Sequence, residues 1–295
     1  METSHPETSE QKHLKTIEAL AVDPLAPGAD RKAEGRENFP VASFLLPRRF
    51  RRPFRVIYAY CRGADNLADQ LDDPASALEA LDIWEQNLEA AFEGKAALPL
   101  FRRLQELLSA YPLEKKPFSD LLVAFRRDQH QTLYDTRDEL FDYCTYSAVP
   151  VGRILLQVLQ KDETPFHAPA DALCIGLQLA NFWQDLSRDR PRREYLPTED
   201  LARFGLRRES LDYQPTPPAL SALVEYEVAQ TIAYFREARA LPKMLRGRIG
   251  FEIELIRQGG LRVLHKVERW SARVFRQRPI LNRTDWLQIL LRALS

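Results

Sequence analysis

Apolar residues recur at three-and-four spacing through most of the chain, the period of helices that bury one face. Alternating β-branched runs and Asn-Gly hairpin signals are nearly absent, so the pattern predicts an all-α fold. The periodic stretches place helices at 53–72, 75–92, 98–110, 117–132, 138–160, 168–189, 217–240, 243–275 and 284–294. Proline marks many of the joins, at Pro53, Pro74, Pro112, Pro117, Pro165, Pro169 and Pro217/Pro218, because it lacks an amide donor and restrains the residue before it. Residues 1–35 are polar and read as a partly ordered arm. The longest interruption of the periodicity, PRREYLPTEDLARFGLRRESLDYQPTPP, has the length expected of a functional lid. Apolar faces continue on both sides of it without a change in composition, so residues 36–295 read as one domain.

Composition narrows the function classes. With 295 residues, 45% of them hydrophobic and 28% charged, the chain can bury a sizeable core. Lys+Arg and Asp+Glu both count 42, so no global field favours nucleic acid, and a polyanion site must come from local clustering. Cys61, Cys144 and Cys174 lie inside helical stretches without C-x-x-C or Cys/His pairing, which predicts buried reduced thiols rather than disulfides or zinc. The N-terminus lacks a basic region followed by an apolar one, and no apolar run approaches bilayer length. A cytoplasmic protein is expected, with peripheral attachment at the inner face of the membrane left open.

Two Asp-x-x-x-Asp tetrads carry the candidate chemistry: Asp65/Asp69 in YCRGADNLADQ and Asp185/Asp189 in QLANFWQDLSRD. Residues four apart on a helix share a face, so each tetrad presents a pair of hard oxygen donors suited to Mg²⁺, and two such faces would grip a diphosphate through the metal. A single acidic pair is ordinarily a solvated surface; two in similar apolar settings are harder to dismiss. Tyr58 and Arg62 extend the first stripe, and Gln178 and Asn181 the second. The plain alternative for the first is an ion pair of Arg62 with Asp65 or Asp69. For the second it is a pair of satisfied core amides, Gln178 and Asn181, beside solvated aspartates. Arginines flank both tetrads: Arg48, Arg49, Arg51, Arg52 and Arg55 in a turn before the first, Arg188, Arg190, Arg192 and Arg193 after the second. Most of the first group is expected to be solvated, while one or two of the second suit phosphate oxygens.

From about residue 36 to the C-terminus these segments resemble the squalene/phytoene synthase family, the head-to-head trans-isoprenyl diphosphate synthases. YAYCRGADNLADQ is similar to that family's first aspartate-rich motif, and QLANFWQDLSRD with the following REYLP to its second. Within the family, ENFPVASFLLPRR, NFWQD, LIRQGGLRVLHKVE and RQRPILNRTDW most resemble the bacterial hydroxysqualene synthases of hopanoid biosynthesis. The resemblance implies an isoprenoid-synthase bundle of antiparallel helices around a deep central cavity, with Mg²⁺ at its mouth. It implies metal-facing roles for Asp65, Asp69, Asn181, Asp185 and Asp189, and diphosphate contacts for Arg62 and Arg193. Tyr58, Arg62, Gln178 and Tyr195 would serve the reacting end, with Gln178 and Asn181 also against substrate, and Phe39 and Tyr143 the prenyl channel.

The chain departs from the family pattern in places. Asn66 follows Asp65 where an acid is usual, and Gln70 takes a position often acidic. Gln184 replaces an arginine commonly found just before Asp185, and Arg36-Glu37-Asn38 replaces a serine-bearing start. These changes suit an enzyme that ionises one preformed diphosphate, presqualene diphosphate, and lets water capture the cation without NADPH. The alternative is a synthase that condenses two prenyl diphosphates to presqualene diphosphate, squalene or phytoene. A further alternative is a non-catalytic all-α scaffold or lipid-binding subunit, whose sequence would show eroded tetrads. Expected partners are the prenyl diphosphate and, transiently, the membrane surface or a preceding synthase; no nucleic acid and no obligate protein partner are implied.

Overall fold

The structure, a computed structural model, describes residues 9–26, 46–71, 73–190, 192–212 and 217–295, and these form helices with no strand among them. The helices are α1 (Ser9–Leu20), α2 (Arg48–Gln70), α3 (Pro74–Phe92), α4 (Pro99–Ala110), α5 (Lys115–Arg127), α6 (Arg137–Ser147), α7 (Val149–Val158), α8 (Thr164–Asp189), α9 (Thr198–Arg203), α10 (Pro218–Glu237), α11 (Leu241–Leu245), α12 (Gly247–Trp270) and α13 (Arg283–Leu294). The described residues cluster into two compact units. One holds 9–26, Arg48–His130 and Gln157–Gln160; the other holds 46–47, Gln131–Leu156 and Lys161–Ser295.

In the first unit, α2 turns Val56, Ile57, Tyr60, Gly63, Ala64 and Leu67 inward against α3, α4 and α5. Tyr60, Trp84, Phe101 and Phe118 form the aromatic centre, with Trp84 and Phe101 4.9 Å apart and edge to face. The buried Tyr60 hydroxyl donates to the Phe118 carbonyl at 3.1 Å, so this ring brings no orphaned polar atom into the core. Gly63 lies flat under the Trp84 indole; a Cβ there would fall 2.6 Å from Trp84 Cζ2. Within the polar arm, residues 9–20 are helical, and Ile17 is buried where α1 packs on α2 and α3.

In the second unit, α8 is the axis, packed by α10 and α12 with α6 alongside. Trp183 donates through Nε1 to Thr231 Oγ1 at 2.8 Å, and Thr231 passes its own proton to the Glu227 carbonyl at 2.8 Å. Phe235 fills the gap left by Gly260, whose Cβ would lie 2.6 Å from Phe235 Cε1.

Several boundaries differ from the sequence reading. The helix expected over 117–132 ends at Arg127. That expected over 243–275 is broken at Arg246, whose φ of 55° interrupts helical backbone between α11 and α12, and ends in a 3₁₀ turn at Ser271–Phe275. The first tetrad helix begins at Arg48, with Pro53 inside it. The amide that proline lacks would have served the Arg49 carbonyl, which instead accepts from the Tyr111 hydroxyl at 3.5 Å. The helix expected over 138–160 is two, broken at Ala148; Pro150, in the first turn of α7, has no amide to continue the α6 ladder onto the Tyr146 carbonyl. The lid segment is partly regular, with α9 and a 3₁₀ turn at Arg208–Asp212.

Candidate active site

The first tetrad occupies the C-terminal half of α2. Tyr58, Arg62 and Asp65 are half-buried and Asp69 is exposed, on the side of the helix away from its apolar face. Arg62 donates to Asp65 at 2.5 Å, the pairing that the plain reading anticipated. Each side chain keeps about a third of its surface, at 37% and 34%, so the pair is neither buried nor fully solvated. The last turn of α2 is fixed from outside, since Gln129 Nε2 donates to the Ala68 carbonyl at 3.1 Å beside Asp69. Cys61 sits at the rear of this stripe, where burial and the nearby Asp65 charge push its thiol up to about 12. It is a packing residue, and among the described residues no cysteine forms a disulfide.

The arginine run before this tetrad is not a turn but the first two turns of α2. Arg52 is paired with Glu106, and Arg49 lies 4.6 Å from the Phe50 ring. Arg48, Arg49 and Arg52 are exposed and Arg51 and Arg55 half-buried, in keeping with a largely solvated cluster.

The second tetrad ends α8. Gln178, Asp185 and Asp189 are half-buried and Asn181 is exposed, while Phe182, Trp183 and Leu186 occupy the packed faces. Asp185 accepts from Arg278 through both nitrogens of a guanidinium fork: Nε bonds one carboxylate oxygen and Nη2 the other at 3.2 Å. Nη2 also reaches Gln184 Oε1 at 3.3 Å, and Gln184 Nε2 donates to the Pro279 carbonyl at 2.7 Å. Gln184 is therefore consumed within the protein, 1% exposed. Gln184 stands where the family commonly has an arginine, and a guanidinium reaches Asp185 instead from the RQRP segment 93 residues downstream. Helical spacing cannot show such a partner; the only signal was the arginine-rich RQRP itself.

After Asp189 the chain folds back on α8, with the amides of Arg192 and Arg193 both donating to the Asp189 carbonyl at 2.8 Å. The loop is then pinned. Glu194 donates its amide to the Thr132 carbonyl at 2.8 Å, and its carboxylate holds Arg208 at 2.5 Å. Arg190 forks onto Asp212 at 3.0 and 3.1 Å, and so belongs to this scaffold. Tyr195 enters an aromatic cluster, stacked on Phe182 at 3.7 Å and 5.8 Å from Tyr134, with Tyr143 6.0 Å away. The structure thus brings Tyr143 and Tyr195 together and adds Phe182 and Tyr134, which the sequence reading had not assigned to the site. Phe39 and residues 36–38 lie outside the described residues.

The lid segment is held by a buried charge cluster. Arg137 Nη2 donates to Asp200 at 2.6 Å and to Glu227 at 2.8 Å, and its guanidinium lies 5.1 Å from the Tyr226 ring. Two buried carboxylates share one cation, so burial pushes Glu227 up to about 8, opposed by Arg137 and reinforced by Asp200.

A family model for squalene/phytoene synthases matches residues 32–285. The chain belongs to the squalene/phytoene synthase family. It is 34% identical to a hydroxysqualene synthase of Rhodopseudomonas palustris, over 80% of this chain and 81% of that one. A phytoene synthase of Arthrospira platensis is 29% identical over 83% of this chain and 84% of its own. The crystal structure of a squalene synthase from Alicyclobacillus acidocaldarius superposes with a TM-score of 0.76 at 33% identity, covering 88% of this chain and 95% of that one. The all-α fold is that of this family, whose members are enzymes that process prenyl diphosphates.

Proposed function

We propose that this squalene/phytoene synthase family member is a hydroxysqualene synthase of hopanoid biosynthesis, converting presqualene diphosphate and water to hydroxysqualene and diphosphate. The observation that carries the reading is the reach of the C-terminal RQRP segment to Asp185 and Gln184. RQRPILNRTDW is among the segments whose sequence resembles the hydroxysqualene synthases, and it contributes directly to the second aspartate motif. The identity to the Rhodopseudomonas protein supports the same choice.

The residues fit a magnesium–diphosphate group. Asp65 with Asp69, and Asp185 with Asp189 and Asn181, offer pairs of hard oxygen donors at half-buried or exposed positions of their helices. Such sparse sites suit Mg²⁺, which keeps waters and takes phosphate oxygens alongside one or two carboxylates. When bound, the metal supplies Lewis-acid assistance to departure of the diphosphate. Arg62 and Arg193 hold phosphate oxygens, and Arg278 orients Asp185. By the family resemblance Tyr58, Gln178 and Tyr195 would serve the reacting end, with Tyr143 along the prenyl chain. The aromatic rings stabilise positive charge while it rearranges, and water closes the reaction without NADPH. The enzyme would act in the cytoplasm as a carbon–oxygen lyase.

Incubation of the purified protein and Mg²⁺ with presqualene diphosphate, with and without NADPH, tests the proposal. Hydroxysqualene in both reactions is expected. Squalene formed only with NADPH would overturn it, and phytoene from geranylgeranyl diphosphate would favour the condensing reading that the Arthrospira relative supports.

A further inference from the structure

The C-terminal helix α13 carries an apolar face that its own unit does not cover. A capping box joins Asn282 and Asp285 at its start. Asp285 is 1% exposed and is held by Arg262 Nε at 2.7 Å and Lys266 Nζ at 2.5 Å, both from α12. With Asp285 and Ile289 fixed inward, Trp286, Leu287, Leu290, Leu291 and Leu294 point outward. At 3.6 residues per turn they fall within an arc of about 140° along the whole helix. They are 40%, 57%, 42%, 58% and 68% exposed, and Ile280, just before the helix, is 61% exposed. Five large apolar side chains on one face of a twelve-residue helix are a patch, not scattered exposure.

The chemistry beside this face is cationic. A cavity of about 410 Å³ between α12 and α13 is lined by Arg262, Lys266, Arg269 and Arg273, with Asp285 as the one carboxylate among its walls and Asn282 and Thr284 from the start of α13. Asp285 is committed to Arg262 and Lys266, so the balance at the mouth, where Arg269 and Arg273 are exposed, is positive. Arg273 lies over the Trp270 ring at 5.0 Å, which holds its guanidinium at the rim. Arg283 and Arg292 add exposed cations on α13 itself.

We propose that α13 and the adjoining basic cavity form a docking surface for an anionic lipid bilayer. The leucines and Trp286 enter the interfacial region with the helix lying in the membrane plane, and Arg269 of α12 with Arg273 of the 3₁₀ turn that follows it take lipid phosphates. A helix this short cannot span a bilayer, and no described helix is long and apolar enough to do so. The attachment is therefore peripheral, and it would bring an enzyme of amphiphilic prenyl diphosphates to the phase where their tails dissolve.

The test is co-sedimentation of the full chain with phosphatidylcholine vesicles, with and without phosphatidylglycerol, together with the emission of Trp286. Binding to anionic vesicles is expected to exceed binding to neutral ones by about tenfold or more and to weaken with salt. A blue shift on binding should be lost in Trp286→Phe. Leu287→Ser/Leu291→Ser should lower binding about tenfold with an unchanged melting temperature, because both side chains are exposed. Arg269→Glu/Arg273→Glu should abolish the preference for anionic lipid. Equal sedimentation of wild type and both double variants would overturn the proposal. So would a dimer in sedimentation equilibrium that Leu287→Ser/Leu291→Ser dissociates while vesicles bind neither form, since the face would then belong to a second copy.

Discussion

Asp185 stands at the centre of the residue-scale account, because it is both a motif carboxylate and the acceptor of the Arg278 fork. Asp65→Ala or Asp185→Ala should abolish turnover while circular dichroism shows near-normal helix content, since neither side chain is in the packed core. Wild-type rates at limiting Mg²⁺ would remove both from the metal site. Arg278→Ala should lower kcat/KM on the order of a hundredfold, the scale at which a positioned charge donor contributes, with partial rescue by Arg278→Lys. An unchanged kcat/KM would make the pair purely structural. The carboxylates were legible in the sequence because four-residue spacing on a helix is a local property. Arg278 was not, because its position depends on how the tail packs. Gln184 shows the limit of reading locally: its side chain is taken up by Arg278 and the Pro279 carbonyl, both far along the chain.

Elements carry these side chains only as well as their packing permits. Gly63 lets α2 lie against Trp84, so Gly63→Ala should destabilise the protein by about 1–3 kcal/mol, measured by urea unfolding, as expected when a methyl is forced into a filled core. The lid segment after α8 depends on the Arg137, Asp200 and Glu227 cluster, which ties α9 to α6 and α10. Glu227 has its folded pKa raised from 4.5 to about 8, so the folded state binds more protons than the unfolded across that interval. Stability from this group is full below about 4.5 and falls as the pH rises to about 8, which thermal melts across that range should record. Glu227→Gln, which mimics the protonated form, should flatten the profile; an unchanged slope would place the titrating group elsewhere. Helix existence was readable from periodicity. The start at Arg48 was missed because Pro53 was read as a boundary though α2 tolerates it, and the break at Ala148 because the periodicity was read straight through Pro150.

At the scale of the molecule, the all-α class and the family both follow from patterns that span the chain: a helical period throughout and two aspartate motifs in matching settings. Balanced charge hid the local asymmetries, because 42 basic and 42 acidic residues cancel in the sum while cations gather around α12 and α13. The apolar face of α13 had been absorbed into the general helical pattern; only exposure separates a core stripe from an uncovered one. What remains central is the fate of the carbocation. Presqualene diphosphate, Mg²⁺ and the purified protein should be combined in ¹⁸O-labelled water without NADPH, and the product examined by mass spectrometry. The account predicts hydroxysqualene carrying one ¹⁸O in its hydroxyl; an unlabelled alcohol, or squalene appearing only when NADPH is added, would contradict it.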